Sequence, residues 1–338
     1  MTNIAQIKQD AEQVDYTIYE QVDGNVLFPN LYNKGDIKLT RRKFRHPHCV
    51  DSNPDYVADS NLLRRVLAWW FGLGDPLGLY GETGSGKTEA FYKIADILNE
   101  PVYLLQVNGG LLPEMVEGKT KLVNGNTVDE YGVVPEAYKH GGLILLDEVD
   151  KANKPLQSWL HPVLERKPLS LSLTGELITP HDQVRVGLTA NTLGQGGSER
   201  YSSSNKLDDA LRARAGWLEV KYPEPAVLRD ILNQKFGMLP TALQRKMCKV
   251  AIEVQKVTAS DDADLSAVFS TRTLIKWGQT MLAFGLNARL SESLEFVSRG
   301  SCDPDDWNSL QGIYQRILGE DLDSTVRDVL ERNAQAKK

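Results

Sequence analysis

The stretch GETGSGKT, Gly81 to Thr88, limits the possible folds of this 338-residue chain more than any other segment. It satisfies G-x-x-x-x-G-K-[ST], a pattern that works only where a strand feeds in and a helix leads out. Both flanks read that way: apolar residues run up to Tyr80, and Lys87 to Leu98 has helical periodicity. Gly81, Gly84 and Gly86 let the backbone turn tightly. The N–H groups of the loop, including those of Glu82, Thr83 and Ser85, can then surround phosphate oxygens. The helix N-terminus adds partial positive charge. Lys87 would reach the β and γ phosphates, and Thr88 would offer its hydroxyl to Mg2+.

A strand-loop-helix of this kind needs a sheet around it. PVYLLQV (101–107) and LILLDEV (143–149) are near-continuous apolar runs, as expected of strands buried on both faces of a parallel sheet. VRVGLTAN (184–191) and WLEVKY (217–222) repeat the pattern. Alternation with helical segments argues a doubly wound α/β layer. Past Pro225 the apolar spacing becomes three and four throughout, which argues a smaller all-helical domain. Residues 1–58, broken by Pro, Asn and Gly, read as an irregular N-terminal arm. The expected division is therefore 1–58, 59–224 and 225–338.

LILLDEV ends in Asp147-Glu148, at the strand edge where ligands bind in such sheets. Asp147 would hold the Mg2+, usually through water, and Glu148 would act as general base on an attacking water. Charge narrows the partners. A net charge of −6 argues against a main job of gripping nucleic acid. The local exception is KLTRRKFRHPH, Lys38 to His48, with five Lys or Arg, which reads as a basic strand or linker on the nucleotide domain. His46, His48 and Cys49 in and beside it lack the second cluster of a zinc finger. NKLD, Asn205 to Asp208, imitates a guanine-reading motif but follows a polar run instead of a buried strand. Three scattered cysteines, a polar N-terminus and no long apolar run point to a cytoplasmic protein with no membrane segment.

With these motifs in place the chain resembles the AAA+ ATPases, and within them the MoxR-like branch with its CobS-type ATPase subunits of aerobic cobaltochelatase. The likeness rests on GETGSGKT, LLDEVDKANKPLQSWLHPVLE, LITPHDQVRVGLTANTLGQGG, LDDALRARAGWLEVKYP and FSTRTLIKWGQTM, in the family's order. It implies ATP and Mg2+ as ligands. It makes Asn191 the sensor that orients the lytic water and Arg272 a second sensor on the helical lid. Arg214 falls where the family has an arginine finger that enters the adjacent subunit's site; Arg212 is the second candidate, because Ala215 and Gly216 follow where the family often has an aromatic. A chain with both finger and phosphate loop needs another copy, so the resemblance implies a ring, a hexamer. It also implies a partner with a von Willebrand factor A domain. GKTKLVNGNTVDEYG (118–132) carries a hairpin signal at Asn124-Gly125, and PLSLSLTGELITPHDQ (168–183) a second at Thr174-Gly175. In the branch such hairpins face the pore or top of the ring; decorative hairpins are the other reading. The expected activity is an ATP-driven ring motor that remodels a partner protein. Its rival is a nucleic-acid-stimulated motor of helicase or loader type, for which the basic run at 38–48 is the sole candidate contact.

Overall fold

The computed structural model describes residues 14–54, 56, 57, 59–193, 207–258, 265 and 267–335. The first two residues of the NKLD motif and the polar run before it lie outside the described residues. The described residues fall into two compact units, one within Met1–Gly81 and Gly86–Val220, the other within Glu82–Ser85 and Lys221–Lys338.

The first unit opens with strands β1 (Tyr19–Asp23) and β2 (Lys38–Arg42), an antiparallel pair with Tyr19 opposite Arg42. Strands β3 (Leu77–Tyr80) and β4 (Val102–Gln106) follow, then the hairpin β5 (Gly118–Val123) and β6 (Asn126–Tyr131). Next come β7 (Gly142–Asp147), the short pair β8 (Leu169–Ser170) and β9 (Leu177–Ile178), then β10 (Val184–Ala190) and β11 (Gly216–Glu219). Five of these form one parallel sheet in the order β11-β3-β10-β7-β4. Alternation along β7 shows why its run is apolar throughout. Leu143 and Leu145 pack on one face with Phe91 and Ile94, while Ile144 and Leu146 pack on the other with Leu156 and Leu160. Both faces are covered, so no position can be polar until the strand ends.

The expected irregular arm is corrected over residues 19–42. Leu27, Phe28, Leu31 and Leu39 belong to the same core as the helix Ser60–Gly72 and strand β3. Arg42 is 1% exposed and its Nε donates to Glu100 Oε2 at 2.7 Å. Its other nitrogens donate to the Tyr16 carbonyl at 2.6 Å and the His140 carbonyl at 3.0 Å. A charged sequence thus makes a core strand, because its buried guanidinium finds a carboxylate and two carbonyls to satisfy it. The basic run is also partnered elsewhere: Arg41 pairs with Glu20, and Arg45 with Asp51 and Asp96. Three of its five Lys or Arg are thus matched to carboxylates of the same unit. Among the described residues no cluster of three or more His, Cys, Asp or Glu could hold a metal ion.

Both expected hairpins form. Val123 pairs with Asn126 across a two-residue turn in which Asn124 and Gly125 have φ of 51° and 82°, the type I′ geometry. β8 and β9 pair with Leu169 opposite Ile178. The second unit is helical, with Pro225–Phe236, Thr241–Thr258, Thr271–Phe284, Leu290–Ser298, Pro304–Leu318 and Val326–Gln335 as its main helices. Its core centres on Trp277, fully buried, whose indole Nε1 donates to Ser293 Oγ at 2.9 Å. Among the described residues no helix is long and apolar enough to cross a membrane.

Candidate nucleotide site

The sheet order puts the ends of β3, β10 and β7 side by side, and the candidate residues follow those ends. Gly81 leaves β3 with φ of 143°, and a Cβ there would lie 2.2 Å from the Val220 carbonyl oxygen. Only glycine fits that approach. The helix Lys87–Ile97 starts at Gly86 with no side chain capping it. Its first N–H groups therefore point outward, ready for an anion. Ser85 Oγ is buried with no hydrogen-bond partner among the described residues, as a hydroxyl meant for a ligand oxygen would be. Tyr56 packs so closely on Gly86 that a Cβ would come within 2.7 Å of its ring. Burial, then Glu89 and Asp59, pushes the Tyr56 phenol well up from its ordinary value.

Lys87 is 8% exposed, and its Nζ donates to the Gly81 carbonyl at 2.7 Å and to Asn191 Oδ1 at 3.2 Å. Thr88 Oγ1 donates to Asp147 Oδ1 at 2.8 Å. Lys87, Thr88, Asp147 and Asn191 therefore stand as one connected group. A hydroxyl beside a carboxylate is a hard-oxygen donor set, which suits Mg2+. Glu148, the next residue, has φ of 58° and ψ of 45°, left-handed backbone that is rare for glutamate. Its carboxylate accepts from Gln106 Nε2 at 3.1 Å and Lys151 Nζ at 2.7 Å.

Four further residues shape the group without any motif to announce them. Thr189 Oγ1 donates to Asp147 Oδ1 at 2.6 Å and accepts from the Glu148 N–H at 2.9 Å, so one hydroxyl fixes both acids. Asp150, fully buried, accepts from the Asn191 N–H at 3.2 Å. Gln106 and Lys151 aim Glu148. The only trace of Thr189 and Gln106 in the sequence is a polar residue near the end of an otherwise apolar run.

The remaining candidates sit on other segments. Glu82, Thr83, Gly84 and Ser85 cluster with the second unit. Arg272 is exposed in the first turn of the helix Thr271–Phe284, which Ser270 caps through the Thr273 N–H. Arg212 and Arg214 diverge, as neighbours two apart on a helix must. Arg212 pairs with Asp209 and donates to the Leu193 carbonyl at 3.3 Å. Arg214, at the end of the helix Asp209–Ala213, donates from Nε to Glu165 Oε1 at 2.6 Å and from Nη1 to the Ala210 carbonyl at 2.7 Å. Arg214 and Glu165 each keep about 30% of their side chain exposed, with Arg214 at 29%.

Residues 76–215 match the family model described as "AAA domain (dynein-related subfamily)". The chain is similar to aerobic cobaltochelatase subunit CobS of Sinorhizobium sp, 26% identical over 88% of this chain and 89% of that protein. It is similar to protein CbbQ of Hydrogenophilus thermoluteolus, 24% identical over 81% and 98%. Among solved structures it matches the RuvB Holliday junction branch migration motor of Thermotoga maritima at 15% identity and a TM-score of 0.42, covering 85% of this chain and 72% of that one. That overlap is too loose to bear on function.

Proposed function

We infer, for a chain that belongs to the MoxR-like AAA+ ATPases, that it is a Mg2+-dependent ATP-hydrolysing ring motor acting on a partner protein. The observation that carries this reading is the connected group of Lys87, Thr88, Asp147 and Asn191, with Glu148 held beside it. Lys87 neutralises the β and γ phosphates. Thr88 and Asp147 hold Mg2+, which supplies charge neutralisation on the phosphate oxygens. Glu148 takes a proton from water, and Asn191 keeps that water in line. Gln106 and Lys151 hold the carboxylate until the site is filled. Arg214 of an adjacent copy completes the pocket and Arg272 reports closure from the lid. Such a head-to-tail donation is heterologous and closes as a ring, a hexamer in this reading. The partner is a von Willebrand A domain protein in the cytoplasm, with a cobalt-chelatase-type complex as the first setting to test. The two hairpins carry the motion to it.

The test is Glu148→Gln. ATP binding should persist while turnover falls by about 10² or more, the scale of a lost general base. A variant that hydrolyses at the wild-type rate removes Glu148 from this role and the motor reading with it.

A further inference from the structure

Glu117 ends the short helix Pro113–Glu117, immediately before the first hairpin, and is 4% exposed. A carboxylate this buried must find donors, and its donors come from two other elements. Oε1 accepts from Trp159 Nε1 at 3.1 Å; Oε2 accepts from the Ser172 N–H at 2.8 Å and from Ser172 Oγ. Trp159 lies on the helix Lys154–Leu164, which follows the acidic strand end within a few residues. Ser172 lies in the loop of the second hairpin, between β8 and β9. One carboxyl group therefore ties the base of the first hairpin, the loop of the second and the helix that leaves Glu148.

Other contacts reinforce the same joint. Asn153 caps the helix Lys154–Leu164 through the Leu156 N–H, and its Nδ2 donates to the carbonyls of Gly109 at 3.1 Å and Leu111 at 2.9 Å. The segment leading to Glu117 is thus fastened to that helix at two points. Gly118, with φ of 148°, has room for no side chain: a Cβ would lie 2.3 Å from the Glu130 carbonyl oxygen and 3.2 Å from Leu173 of the second hairpin. Tyr131 Oη donates to Glu176 across the two hairpins. Beyond this joint the first hairpin stands in solvent, with Leu122 74% exposed, whereas the second exposes Leu177 but seats Leu169, Leu171 and Ile178 in the core. A free two-stranded ribbon has little stability or stiffness of its own. Its orientation is set at its base.

We propose that Glu117 is a positioning residue that fastens the exposed first hairpin to the core-seated second one and couples both to the helix behind Glu148. The proposal rests on the nucleotide reading above. Movement at the acidic strand end passes along a rigid helix to Trp159, and from there through one carboxylate into both hairpins. A wire of contacts alone is weak warrant for coupling; the distinguishing property is that the two links can be cut separately.

Hydrogen–deuterium exchange on the full chain, with and without a non-hydrolysable ATP analogue, reads this directly. In the wild type the analogue should protect 81–88 and change exchange in 118–131 and 169–178 together. Trp159→Phe removes the indole donor while keeping an aromatic ring against the core. Protection at 81–88 should remain, while the analogue's effect on both hairpins falls at least about threefold. Glu117→Gln keeps one acceptor oxygen where the carboxylate used two, so either Trp159 or Ser172 loses its acceptor and the response of at least one hairpin should fall. If either variant leaves the hairpin responses at wild-type size with 81–88 still protected, the proposal is overturned. It is equally overturned if exchange rises by one factor with and without the analogue, since that marks a purely structural role. Absence of protection at 81–88 in the wild type strikes instead at the nucleotide reading, and the coupling falls with it.

Discussion

The assignment of Arg214 to a neighbour's pocket can be tested by mixing two dead proteins. In the single chain Arg214 holds Glu165 through a part-exposed ion pair. Pairs of that kind contribute little to stability because water and salt screen them. Releasing the guanidinium to reach across an interface is therefore easy, and Arg214→Ala should shift the melting temperature by no more than about 2 °C. Its effect on rate should be far larger, a loss of about 10³ or more in turnover if it stabilises charge on the transferring phosphate. Lys87→Ala should be as inactive for a different reason. Mixed one to one at ring-forming concentration, half the copies bring Lys87 and half of their neighbours bring Arg214. About a quarter of all pockets are then complete, so steady-state ATPase should recover to about 25% of the wild-type rate. Glu165→Ala supplies the control: it frees the arginine and should leave turnover at least intact. No recovery on mixing, or full turnover by Arg214→Ala alone, refutes the reasoning. Arg212→Ala, run alongside, tells whether the finger lies two residues earlier.

Two further outcomes follow from the underside of the sheet. Arg42→Met leaves Glu100 buried without its counter-charge and should lower unfolding stability by about 3–5 kcal/mol in denaturant titration; adding Glu100→Leu should recover most of that loss. Burial first, then the charges of Arg42, His48 and His140, lowers His46 to about 4. His181 is lowered too, by burial and then by Arg42. The unfolded chain binds these protons near 6.5, so between about 6.5 and 4 it holds more protons than the folded one. Stability should be complete above that window and fall as pH drops through it, and thermal melts of His46→Gln should show a shallower slope. An equal slope in the variant removes His46 as the cause.

The sheet strands could be read from the sequence because their environment leaves one solution. A run such as LILL is buried on both faces, and no helix of four residues could use it. The hairpin at Asn124-Gly125 was equally plain, since its turn demands two positive φ values. Strand β2 was hidden because its burial depends on Glu100, 58 positions away, and no local pattern encodes a distant counter-charge. Thr189 and Gln106 were invisible for the same reason: each is defined by what the adjacent strand brings next to it. Glu117 was the least legible of all, an ordinary acid in sequence and a three-way joint once Trp159 and Ser172 arrive.

Strand β2 also bears on protein engineering. Any trimmed or chimeric form that begins at the helix Ser60–Gly72, the natural place to cut by motif, strips the cover from that helix and strands Glu100 beneath the sheet. Swaps between relatives meant to exchange specificity should therefore carry the β1–β2 pair along with the parental sheet it is keyed to. A graft that ignores this would fail in folding and be mistaken for a failure of recognition.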